Sequence, residues 1–99
     1  MTILVQHTLT VPSGGTSQKL TLTAGAASPS AAISATHCVF YSTVDCFIRQ
    51  GASGATTAVA DGTDLFVPGG VQVRLDMTSG NVLSVISASS GTVYITRNA

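Results

Sequence analysis

The chain has 99 residues, of which 44% are apolar and only 8% charged, with a formal net charge of zero. An ordinary soluble domain carries roughly a quarter charged residues; here glutamate is absent, Lys19 is the single lysine, and Ser and Thr fill about a quarter of the positions. Four scattered cations cannot supply the basic patch that binding to nucleic acid requires, and an anionic membrane surface is disfavoured for the same reason.

A net charge near zero removes long-range repulsion and favours association. Much of the exterior is therefore expected to lie against other protein; the alternative is a small neutral β-domain kept soluble by its hydroxyls. The length suits one domain spanning residues 1–99. The opening "MTILVQHTLTV" has no basic n-region and no small-residue cleavage site. No run approaches the ~18 apolar residues of a membrane span. The expectation is a protein made and kept in a cytoplasm, with its cysteines reduced.

In "TILVQHTLTV", Ile3 and Val5 share one parity and the pattern slips near Gln6 before Leu9, which reads as a bulged strand. "PSGGTS" stops it, so residues 1–15 are expected to form a strand and loop that extend from the body. "QKLTLT" alternates, Leu20 and Leu22 facing one way. "AGAASPSAA" is small and polar and reads as a loop over the surface.

"HCVFYSTVDCFIRQG" concentrates a histidine, two cysteines, an aspartate and an arginine in one stretch. It reads as two strands joined at "YST" in a hairpin that sets Cys38 opposite Cys46. Alternation places Cys38, Phe40, Val44, Cys46 and Ile48 on one apolar face, where free cysteine packs as a small hydrophobe. A disulfide across the hairpin is the alternative, disfavoured by a reducing compartment. Zinc would need four converging ligands, but His37 and Asp45 point away from the cysteines. Nucleophilic catalysis lacks a base beside either thiol. No catalytic, cofactor or metal residue is assigned.

A turn at "QGASGA" follows, then a short strand "TTAVA" and the turn "DGTD", where Asp61 and Asp64 suit Asx hydrogen bonding. "LFV" runs to "PGG". "VQVRLDM" alternates cleanly, Val71, Val73, Leu75 and Met77 against Gln72, Arg74 and Asp76. "VLSVISA" and "TVYITR" are the last strands, separated by "SSG". About eight short strands at spacings near ten residues predict an all-β fold, a two-sheet antiparallel β-sandwich of jelly-roll type or a small barrel. Phe47 falls with Asp45 and Arg49 on the outward face, either as an interface anchor or packed beneath a loop.

Three segments carry a resemblance: "STVDCFIRQG", "TTAVADGTDLFVPGGV" and "SGNVLSVISASSGTVYITR". Over residues 33–97 the chain resembles small accessory virion proteins of tailed bacteriophages. The resemblance implies a non-enzymatic virion component made in a host bacterial cytoplasm, a capsid decoration or cement protein that binds the assembled head and stabilises it. Its partners would be the major capsid protein or other virion subunits, and further copies of itself, with a trimer as the expected oligomer. No nucleic acid, membrane or cofactor is implied. The residues expected at protein interfaces are Ile3, Val5, Leu9, Phe47, Arg49, Arg74 and Tyr94. A neck or tail component is the alternative within this class. A carbohydrate-binding module for host adsorption is the alternative outside it, and would need exposed aromatics in a row.

Overall fold

The structure, a computed structural model, describes residues 17–52 and 63–97. These form eight strands: β1 (Ser17–Leu22), β2 (Ser28–Pro29), β3 (His37–Ser42), β4 (Cys46–Gly51), β5 (Leu65–Val67), β6 (Gln72–Asp76), β7 (Val82–Ile86) and β8 (Gly91–Arg97). The described residues contain no helix, and so none long and apolar enough to cross a membrane. The expected strands around Ile3, Val5 and Leu9 and at "TTAVA" lie outside the described residues.

The strands make two four-stranded antiparallel sheets: sheet one in the order β1-β8-β3-β6, and sheet two in the order β2-β7-β4-β5. Every connection except β4 to β5 passes from one sheet to the other. The expected all-β architecture is thus observed, but one prominent local expectation is not. β3 and β4 are not a hairpin. β3 pairs with β6 and β8, β4 with β5 and β7. Cys38 therefore stands opposite Leu75 and Arg97, and Cys46 opposite Val67. Alternation is the same whether two strands pair or face each other across a core, so the parity was right and the neighbour wrong.

Burial follows the pleat. β3 reads exposed, buried, half-buried, buried, half-buried, buried from His37 to Ser42, the period of a strand with one face on a core. Phe40, fully buried, lies between Val73 and Ile95 in sheet one. Across the interface Ile48 and Val85 come from sheet two. The segment expected to be a surface loop is partly interior: Ser28–Pro29 pairs with β7, and Ser30 is buried. The Ser30 hydroxyl accepts the Leu83 N–H at 3.0 Å and donates to Ala31 O at 2.8 Å, which lets a polar side chain sit there.

Residues 42–45, the "STVD" stretch, turn the chain from sheet one into sheet two, and several segments lock this corner. Thr43 N donates to Thr92 O at 3.0 Å, and Thr92 N donates to the Thr43 hydroxyl at 2.9 Å. Gly70 N donates to Ser42 O at 2.8 Å and Gly69 N to the Asp45 carboxylate at 2.7 Å. The Ser87 hydroxyl donates to Asp45 O at 2.6 Å. Gly70 turns with φ of 80°, a left-handed conformation that glycine adopts at little cost. Gly69 has a different constraint: a Cβ there would lie 2.8 Å from the backbone carbon atoms of Val44.

Gly69→Ala is expected to destabilise by about 1–3 kcal/mol, the range for overpacking a rigid contact. Gly91→Ala should cost less, because its Cβ would meet side-chain atoms of Thr43 and Val44, which can rotate. Chemical denaturation of the two variants in parallel checks the order; equal losses would show that the Val44 backbone yields.

Candidate functional site

The residues expected to carry chemistry separate in the folded chain. Cys38 and Cys46 are both buried and free, each pointing into the core from its own sheet. Burial pushes the Cys38 thiol up from 9.0 to about 11. Cys46 is raised by burial and to a lesser degree by the Asp45 charge, with a hydrogen bond to Ser42 pulling the other way. Reactive cysteines need the thiolate near neutral pH, and both environments oppose it. His37 faces solvent, its Nε2 3.3 Å from Asp76 Oδ1 and its Nδ1 3.0 Å from the Thr36 hydroxyl. Asp45 is committed to Gly69 N. Among the described residues no three His, Cys or Asp side chains gather as a metal ion would need.

Of the acids expected at the "DGTD" turn, Asp61 lies outside the described residues. Asp64 does more than turn the chain. Its Oδ1 accepts from Arg49 Nε at 2.8 Å, joining the start of β5 to β4.

The outer sheet faces hold the remaining candidates. On sheet two, Phe47 is flanked in register by Ile86 on one side and Phe66 on the other. The two phenyl rings meet edge to face at 5.4 Å, a favourable quadrupolar geometry. Phe47 is half-buried by this contact, while Phe66 stays 49% exposed. Of the two readings of Phe47, the geometry makes it the inner member of an aromatic pair, and Phe66 its outer member. Arg49, beside it on the same face, is engaged with Asp64.

On sheet one, the register sets Lys19, Tyr94, Tyr41 and Gln72 in one row across all four strands. The tyrosine rings lie 6.4 Å apart and tilted by 40°. The adjacent row is Ser17, Thr96, Val39 and Arg74. The four described residues expected at interfaces are thus divided, Phe47 and Arg49 on one sheet, Arg74 and Tyr94 on the other. They cannot form a single patch. Sequence reasoning picks out Tyr41 and Tyr94 as separate aromatics but misses Phe66 and the pairing of the two tyrosines, because parity within one strand does not reveal a cross-strand neighbour.

A third feature is a slot of about 220 Å³ between the edge strands β5 and β6, lined by Leu65, Leu75, Met77 and Gln50 among others. Gln50 Oε1 is occupied at its rim, accepting from Thr78 N at 2.6 Å and Asn81 Nδ2 at 3.3 Å.

No family model, curated protein or solved structure matches this chain.

The raised Cys38 thiol has a stability consequence. The unfolded chain loses this proton near pH 9 while the folded chain holds it to about pH 11. Its contribution is therefore complete below pH 9 and is lost as pH climbs from 9 to 11, by up to about 1.4 kcal/mol per pH unit. Denaturant titrations at pH 8, 9, 10 and 11 are expected to fall over this window and to fall less in Cys38→Ala. Parallel slopes in the two proteins would refute the assignment.

Proposed function

We propose that this chain is a non-enzymatic structural protein of a tailed-phage virion, a jelly-roll sandwich that docks on the assembled head and reinforces it as a homo-oligomer. The observation that carries the reading is the outer face of sheet two: an aromatic pair, Phe47 and Phe66, continued by the half-buried Ile86, on a molecule with almost no charge to keep neighbours away. Aromatic side chains with an apolar surround and few ions are the composition of a protein-interface centre.

The strand order supports the jelly-roll reading. The pairs β1·β8, β2·β7, β3·β6 and β4·β5 are nested, as in one long antiparallel ribbon rolled into two sheets. The likeness of residues 33–97 to accessory virion proteins supports the setting. A standard interface buries roughly 800 Å² per partner, a modest part of the 5744 Å² exposed here. Docking on assembled shells and not on free subunits stabilises the shell by mass action. A trimer would suit a symmetry axis of such a shell.

Co-sedimentation of the purified chain with heads that lack it tests the reading. Saturable binding and a higher melting temperature of the heads are expected, with Phe66→Asp weakening binding at least tenfold. A chain that stays monomeric at high concentration in light scattering and leaves heads unbound would overturn it. Electron microscopy of labelled virions distinguishes the head from the neck or tail.

A further inference from the structure

The outer face of sheet one has a different chemistry from that of sheet two. Tyr94 is 45% exposed and Tyr41 half-buried beside it. Lys19 and Gln72 close the two ends of their row, and Arg74 extends from the next row. Four strands at ~4.8 Å spacing put the Cα atoms of Lys19 and Gln72 about 14 Å apart, so the row is a platform and not a point. Lys19 and Arg74 are exposed, and among the described residues neither has an acidic partner. The acid on this face, Asp76, is 94% exposed and lies 3.3 Å from His37, so among the described residues two cations stand here against one carboxylate. The face therefore carries a local excess of positive charge on a neutral molecule.

The centre of a protein interface surrounds its aromatic anchors with contacts that exclude water. Among the described residues paired around the rings the surround is Lys19, Gln72, Arg74, Thr92 and Thr96, with Val39 as its aliphatic member. One exposed and one half-buried ring in a row, set among hydrogen-bond donors with a cation on either side that has no acidic partner among the described residues, suit a ligand with three properties. It should be extended, present flat C–H faces to the rings, and carry hydroxyls and carboxylates at its edges. We propose that this face binds an acidic polysaccharide of the uronate class, laid across the strands of sheet one from Lys19 to Gln72. Tyr94 and Tyr41 stack against sugar rings, Gln72 donates to hydroxyls, and Lys19 and Arg74 meet carboxylates. Each ionic contact is solvent-exposed and weak, so attachment relies on repetition along the polymer and on several copies of the chain. It also weakens with salt.

This proposal is independent of the virion reading, which rests on the other sheet. The test is affinity electrophoresis of the full chain through gels containing polygalacturonate, dextran, poly-aspartate or oligothymidylate at low salt. Retardation by polygalacturonate alone is expected. Tyr94→Ala should weaken it at least tenfold and Tyr94→Phe should retain it. Lys19→Gln combined with Arg74→Gln should abolish the preference over dextran, while Phe66→Ala matches the parent. Thermal unfolding of each variant verifies that the fold is kept. Absence of retardation, equal retardation by dextran, or a Tyr94→Ala variant that binds like the parent would overturn the proposal. Equal retardation by poly-aspartate would assign the face to an acidic protein instead, and by oligothymidylate to single-stranded nucleic acid.

Discussion

The corner at residues 42–45 is the constraint on which the sandwich depends. A chain that leaves one sheet for another gives up ladder partners, and each buried polar group left unpaired costs roughly 1–3 kcal/mol. At this corner the Ser42 hydroxyl donates to Val44 O and accepts from Val44 N, while the carbonyls of Ser42 and Asp45 receive Gly70 N and the Ser87 hydroxyl. The segments that supply these partners are the β5–β6 turn and the β7–β8 connection. A single bend thus holds three connections at one end of the molecule. It explains why a Cβ at Gly69 or Gly91 would meet it within 3 Å, on the Val44 backbone in the first case and on the side chains of Thr43 and Val44 in the second.

Once the corner is made, the roles of the two sheets diverge. Sheet one keeps a clean division between a buried and a solvated face, as the alternation of β6 and β8 shows. Sheet two does not. Val82 and Ser84 of β7 are buried even though they alternate with the core residues Leu83 and Val85, so β7 is enclosed on both sides. The same sheet carries the phenylalanine pair. One exterior therefore carries a phenylalanine pair and the other a tyrosine pair among hydrogen-bond donors, and on this difference rest the two proposals, a protein partner for the first face and a polysaccharide for the second.

The cysteines belong to the packing that joins the sheets. Each fills the space of a small hydrophobe, one on either side of the core, and burial keeps both thiols protonated over the neutral range. Their proximity in sequence invites a redox or metal reading. The polar side chains near them in sequence, His37 and Asp45, are spent elsewhere, on Asp76 and Gly69 N.

Much of the fold was legible in the sequence. The parity of "HCVFYS", "CFIRQG" and "QVRLD" assigned inward and outward residues correctly, because the pleat alternates whatever the strand's neighbour is. The scarcity of charge and the turn at "PGG" were equally local and equally readable. β2 escaped notice, since two residues, one of them proline, carry no periodic signal. The sites were less legible: Tyr41 beside Tyr94 and Phe66 beside Phe47 are pairs across strands separated widely in sequence.

What the sequence by itself determined was most of the described strands, their core-facing residues and a composition nearly free of ions, all consequences of side-chain type and of its spacing of two. Only the tertiary structure decided which strands are neighbours. Backbone hydrogen bonds are chemically alike in every strand, so pairing is chosen by how the whole core closes. That choice made "STVD" a corner between sheets, put the two cysteines on opposite walls of the core, and divided the exposed aromatics between two faces.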